Sequence, residues 1–81
     1  PFQVVLFLTD ELRLRLLEVI ADEYRLGAYR LHGCVYHEGR YFSIVKFPAK
    51  EGQQEFIQLY GGVPYDPTDK KSRPWETYFD Q

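Results

Sequence analysis

The chain has a single cysteine, no methionine and nearly balanced charge, with 10 basic and 12 acidic residues. One cysteine excludes an internal disulfide, and cysteine-poor chains are typical of reducing compartments, so we expect a cytoplasmic protein. No apolar run approaches the length that a membrane span requires, which predicts no membrane insertion. A net charge of −2 provides no global field that attracts phosphate backbones, so any nucleic-acid contact would need a local basic patch.

Aromatic residues, in contrast, are abundant, at 17% of 81 residues. A domain of this size buries only about 60% of the surface that its unfolded chain exposes, so its core is small. Some of these aromatic side chains are therefore expected on a surface that a partner covers. We predict one domain over residues 1–81, without a cofactor.

The spacing of apolar residues predicts the first strand and the first helix. Residues 3–8 alternate as in a strand that ends near Thr9, and Thr9 can cap a helix over residues 10–26. Helical spacing predicts that the buried stripe of this helix consists of Leu16, Leu17, Ile20 and Tyr24.

Two hairpin strands, a second helix and a last strand are predicted for the rest of the chain. Glu38-Gly39 joins two β-rich runs, and a shorter helix is expected to end at Gly61. Residues 63–74 are interpreted as a loop. The alternation after it predicts a C-terminal strand built on Trp75, Thr77 and Phe79.

The order β-α-β-β-α-β predicts an α+β, ferredoxin-like fold, in which a four-stranded antiparallel sheet carries two helices on one face. Tyr41, Val45 and Phe47 are expected beneath the helices, against Leu16, Ile20, Phe56 and Leu59. The opposite face is expected to be open. Strand alternation predicts a partner-binding surface on that open face, with Arg30, His32 and Tyr36 beside its main residues Phe7, Phe42, Ile44 and Lys46.

The sequence "RYFSIVKF", residues 40–47, resembles the longer signature strand of RNA-recognition motifs, with Arg40 at its basic start and Phe42 at the first stacking position. "LFLTDE", residues 6–11, is similar to the shorter signature, with Phe7 at its stacking position. Members of that family share the predicted element order and stack bases on the open sheet face. The resemblance implies binding of single-stranded RNA or DNA.

We nevertheless expect first a non-enzymatic binding or regulatory module that associates with a protein or forms a homodimer. Exposed apolar patches commonly mark association surfaces, and Phe7, Phe42 and Ile44 would form one. Nucleic-acid binding ranks second because base stacking ordinarily works beside a basic groove, whereas acidic residues offset the basic ones here. Ile44 also stands where the signature has a second aromatic residue.

Two further hypotheses concern a metal site and an enzymatic activity. His32 and Cys34 project to the same side of one strand, but a metal would need further ligands, so no metal site is predicted. Pro1, before a strand and a helix, resembles the start of the tautomerase superfamily, whose N-terminal secondary amine is the general base. That resemblance implies a tautomerase-like enzyme as a third alternative. No other catalytic residue is identified.

Overall fold

The computed structural model of the chain describes residues 2–29, 33–69 and 73–80. The elements, in chain order, are β1 (Phe2–Phe7), α1 (Asp10–Leu14), α2 (Leu16–Arg25), β2 (Gly33–His37), β3 (Arg40–Phe47), α3 (Lys50–Tyr60), β4 (Val63–Tyr65), α4 (Pro74–Thr77) and a 3-10 turn (Tyr78–Asp80). The strands form one four-stranded sheet in the order β2-β3-β1-β4, and each neighbouring pair is antiparallel. The predicted α+β class with a four-stranded antiparallel sheet is confirmed.

The core lies between one face of the sheet and the helices α2 and α3. Its buried side chains are Val4, Leu6, Val19, Val45, Phe47 and Phe56. The rings of Phe47 and Phe56 pack with their centroids 5.3 Å apart. The predicted burial of Val45, Phe47 and Phe56 is confirmed, whereas Tyr41 is 46% exposed, and Leu16 and Leu59 also reach solvent. Expecting those three residues in the core was wrong.

The predicted helix over residues 10–26 is two helices, α1 and α2, separated at Arg15 by a non-helical backbone with φ −103° and ψ 21°. Thr9 does cap α1, since its Oγ1 accepts a hydrogen bond from the Leu12 N–H at 3.1 Å. The predicted stripe of α2 is wrong, because the buried residues are Val19 and Glu23, while the stripe itself, apart from half-buried Ile20, is exposed.

Polar contacts join the other side of α2 to α3. The Arg25 Nη2 lies 2.7 Å from the Glu55 Oε2. The Tyr60 hydroxyl donates a hydrogen bond to the Asp22 carboxylate and lies 3.3 Å from the main-chain oxygen of Glu18. The polar side of α2 thus faces α3, and the apolar stripe turns away from it.

The prediction of a loop over residues 63–74 and a strand after it was wrong at both ends. The chain turns at Gly61 and Gly62, with φ +82° and +100°, and residues 63–65 then pair with β1 as the fourth strand. Pro74 begins α4, where its fixed φ and missing N–H suit a first helical turn and would interrupt a strand ladder. Alternation alone cannot distinguish this short helix from a strand.

Candidate functional site

The sheet face opposite α2 and α3 is covered by residues 73–80, here called the C-terminal segment. Phe42 is only 1% exposed. Its ring centroid lies 5.4 Å from that of Tyr78, and the Phe7 centroid lies 5.1 Å from that of Phe79. The expectation of an open face was therefore wrong, because the chain packs its own aromatic residues there.

The predicted partner-binding residues do not form one exposed surface. Ile44 and Lys46 are half-buried on the same face as Phe42, opposite Val5 and Gln3 of β1. Tyr36 pairs with Tyr41, which places it on the other face, so its predicted position beside Phe42 was wrong. Arg30 and His32 lie outside the described residues.

A different apolar surface lies on the outer side of α2. Leu17 is 84% exposed, and Leu16 and Tyr24 are exposed beside it. Next to this stripe, a groove of about 250 Å³ runs between α2 and β2. Its apolar walls include Leu6 of β1, Leu8 just after β1, and Leu16 and Ile20. Glu23, Cys34 and Ser43 supply its polar atoms. We name the stripe of Leu16, Leu17, Ile20 and Tyr24, the groove and strand β2 together the α2–β2 surface.

The two edge strands of the sheet differ in how well they are protected against pairing with a further strand. β4 has three residues with Pro64 at the centre, and a proline has no N–H to offer to a further strand. β2 has five residues, GCVYH, with no proline, lysine or acidic residue. Proteins commonly block open edges with such residues. Of the two edge strands described, β2 is therefore the one that lacks these blocking residues.

A second cavity, of about 340 Å³, lies where the β2–β3 hairpin approaches α1. We call it the arginine pocket, because Arg13 and Arg40 both line it, together with Asp10 and Tyr41. The Arg13 guanidinium carbon lies 5.9 Å from the centre of the Tyr41 ring, and that of Arg40 lies 4.3 Å from the centre of the Phe79 ring. Neither arginine forms an ion pair with a described residue.

Two groups with shifted pKa values, Tyr60 and Asp22, join α2 to α3. Burial, reinforced by the hydrogen bond to Asp22, raises the pKa of Tyr60 to about 12. The hydrogen bond from Tyr60, followed by that from Arg25, lowers the pKa of Asp22. Both groups join two helices, so we assign them a structural role.

Among the residues that the structure describes, no three or more His, Cys, Asp or Glu side chains come together as a metal site would require. No helix within those residues has the length and apolar character to cross a membrane.

Comparison with known proteins finds no family model, no curated protein and no solved structure that matches this chain. The resemblances to RNA-recognition motifs and to tautomerases stay predictions. The α2–β2 surface was not predicted, because helical spacing places the same leucines in the core. The sequence signal for a covered sheet face is the group of apolar residues in "PWETYF", residues 74–79, which begins with a proline.

Proposed function

We propose that the chain is a non-enzymatic association module that pairs with a second copy of itself through the α2–β2 surface. The observation that carries the proposal is that an exposed apolar helix stripe and an unprotected edge strand occur on the same side of the molecule. Either feature alone is common on small domains. Together they provide both the apolar contact and the main-chain hydrogen bonds that strand addition uses.

A two-fold axis near Val35 would join the β2 strands of two copies antiparallel, which is a self-complementary arrangement. The two sheets would then become continuous, with both α2 helices on the same face of the joined sheet. The stripe residues Leu16, Leu17, Ile20 and Tyr24 carry no charge, so self-pairing places no like charges opposite each other.

The expected affinity of self-association follows from the number of apolar side chains in the stripe. Burying a large apolar side chain contributes roughly 1.5–3 kcal/mol, and each copy supplies several such residues. Association costs about 4–15 kcal/mol in lost freedom of motion, which offsets much of this gain. We therefore expect a dissociation constant on the order of micromolar rather than nanomolar.

Leu17→Glu tests the proposal, because Leu17 is so exposed that the change leaves the monomer fold intact. Sedimentation equilibrium between about 1 and 500 μM, a range that brackets the expected constant, should show a dimer for the parent chain and a monomer for the variant. Leu59→Glu is the matched control, since Leu59 is also an exposed leucine but lies on α3. A parent chain that is monomeric throughout, or a Leu59→Glu variant equally impaired, would contradict the proposal.

The proposal includes a ferredoxin-like architecture and a cytoplasmic location. The strand order β2-β3-β1-β4, with helices between β1 and β2 and between β3 and β4, supports that architecture.

Base stacking on Phe42, as in the nucleic-acid alternative, would require the C-terminal segment to leave the sheet. We therefore rank that alternative lower.

A further inference from the structure

We propose that the groove between α2 and β2 binds a small aliphatic monocarboxylate, such as a medium-chain fatty acid. In this arrangement the alkyl chain lies along the apolar walls of the groove, and the carboxylate accepts hydrogen bonds from Arg13 at the end nearest α1. Every residue of the site belongs to one copy of the chain, so the inference goes beyond the proposed self-association and does not rest on it.

The groove has the lining and the size for a short apolar chain. Leucine, isoleucine and valine supply most of its lining, including Leu8, Leu16 and Ile20. An apolar cavity of about 150 Å³ accepts benzene, which has six carbon atoms. The groove holds about 250 Å³, so a chain of about eight carbons fits within it.

Arg13 lies just beyond the α1 end of the groove. Leu8 lines both the groove and the arginine pocket, and its N–H donates a hydrogen bond to the main-chain oxygen of Tyr41 at 3.0 Å. The guanidinium carbon of Arg13 lies 5.9 Å from the centre of the Tyr41 ring. Tyr41 and Ser43 point to the same face of β3 about 7 Å apart, and Ser43 lines the groove. The guanidinium is therefore within reach of a ligand that lies in the groove.

The charges at the two ends of the groove fix the direction of an anionic ligand. Arg13 forms no ion pair with a described residue, and a guanidinium placed over a ring keeps its N–H edge free to donate. Glu23 lies about two turns of α2 beyond Leu16, at the other end of the groove. A second carboxylate beside Glu23 would be repelled, so the carboxylate end of the ligand points towards Arg13.

A single negative charge suits the site better than a phosphate or a dicarboxylate. Among the described residues that line the groove, none is lysine or arginine, so Arg13 is the nearby cation. Arg40 also lines the arginine pocket, but its guanidinium lies over Phe79 on the sheet face opposite α2 and α3. A ligand with several charges would leave most of them unpaired beside apolar walls, which is unfavourable.

The test is titration of the full chain with octanoate, butyrate and 1-octanol at neutral pH, followed by amide chemical shifts in NMR spectra. Octanoate should bind at least about tenfold more tightly than butyrate, which has the same charge but half the chain. Arg13→Gln should lower the affinity for octanoate about fivefold and leave that for 1-octanol, which has no charge, unchanged. Octanoate should also slow the alkylation of Cys34 by iodoacetamide, since this single cysteine lines the groove.

Arg40→Gln is the matched control, because it removes the other arginine of the arginine pocket from the opposite sheet face. It should leave octanoate binding unchanged. The effect of Arg13→Gln should persist in the Leu17→Glu background, since Leu17 does not line the groove, so this proposal and the dimer can fail separately. The proposal is overturned if butyrate binds as tightly as octanoate or if octanoate leaves the alkylation of Cys34 unchanged. It is also overturned if Arg13→Gln weakens 1-octanol as much as octanoate, or if Arg40→Gln has the same effect as Arg13→Gln.

Discussion

Replacing Phe42 with alanine removes a side chain that the C-terminal segment covers almost completely. Phe42 packs against Phe7 at 5.5 Å and against Tyr78 at 5.4 Å between ring centroids, on the face opposite the main core. Truncating a buried phenylalanine costs about 3–5 kcal/mol, the sum of lost burial and the cavity left behind. We expect Phe42→Ala to fall in this range, close to the effect of Phe47→Ala in the main core.

Urea denaturation at low micromolar protein concentration measures this free energy of unfolding without a contribution from dimerisation. Tyr36→Ala is the control, because Tyr36 is largely exposed and should lose less than about 1 kcal/mol. A second measurement uses a chain ending at residue 72, in which Phe42 is already uncovered. There Phe42→Ala should cost much less than in the full chain, since the two changes remove the same contact. A loss below about 1 kcal/mol in the full chain, or an equal loss in both chains, would refute the packing of the C-terminal segment on the sheet.

Two further predictions concern stability. In thermal unfolding experiments, Gly62→Ala should lower the free energy of unfolding by about 1–3 kcal/mol, because Gly62 has φ +100° and an added Cβ would lie 2.8 Å from the Val4 Cγ1. Gly61→Ala is the control and should lower it less, because Gly61 also has a positive φ but an added Cβ there would meet open space. Stability should also fall as the pH rises from about 10 to about 12, because an unfolded tyrosine with an ordinary pKa loses its proton before the folded Tyr60 does. Urea titrations across that range should show a shallower fall for Tyr60→Phe, and an unchanged slope would mean that Tyr60 is not the titrating group.

The α+β class followed from local patterns that tertiary structure did not change. The alternation in β1 and β3, the Glu38-Gly39 turn and the Thr9 cap each act over a few residues. The main core residues on β3 and α3 followed from the same periodicities.

Which residues form the candidate surfaces depended on long-range packing, which the periodicity of the sequence does not determine. The apolar arc of α2 includes both Val19 and the stripe residues Leu16, Leu17 and Tyr24. Tertiary packing buries Val19 in the core and leaves these stripe residues exposed. Likewise, whether Phe42 is open or covered depended on 8 residues at the far end of the chain, whose alternation fits a strand and a short helix equally well. Only Pro74 favoured the helix.

Hydrogen exchange of the β2 amides at several protein concentrations tests the proposed self-association most directly. If two copies pair through β2, alternate amides of residues 33–37 that point away from β3 should become protected as concentration rises, and Leu17→Glu should abolish that protection. Amide protection in β2 that stays constant while the protein dimerises would place the interface elsewhere and contradict the account.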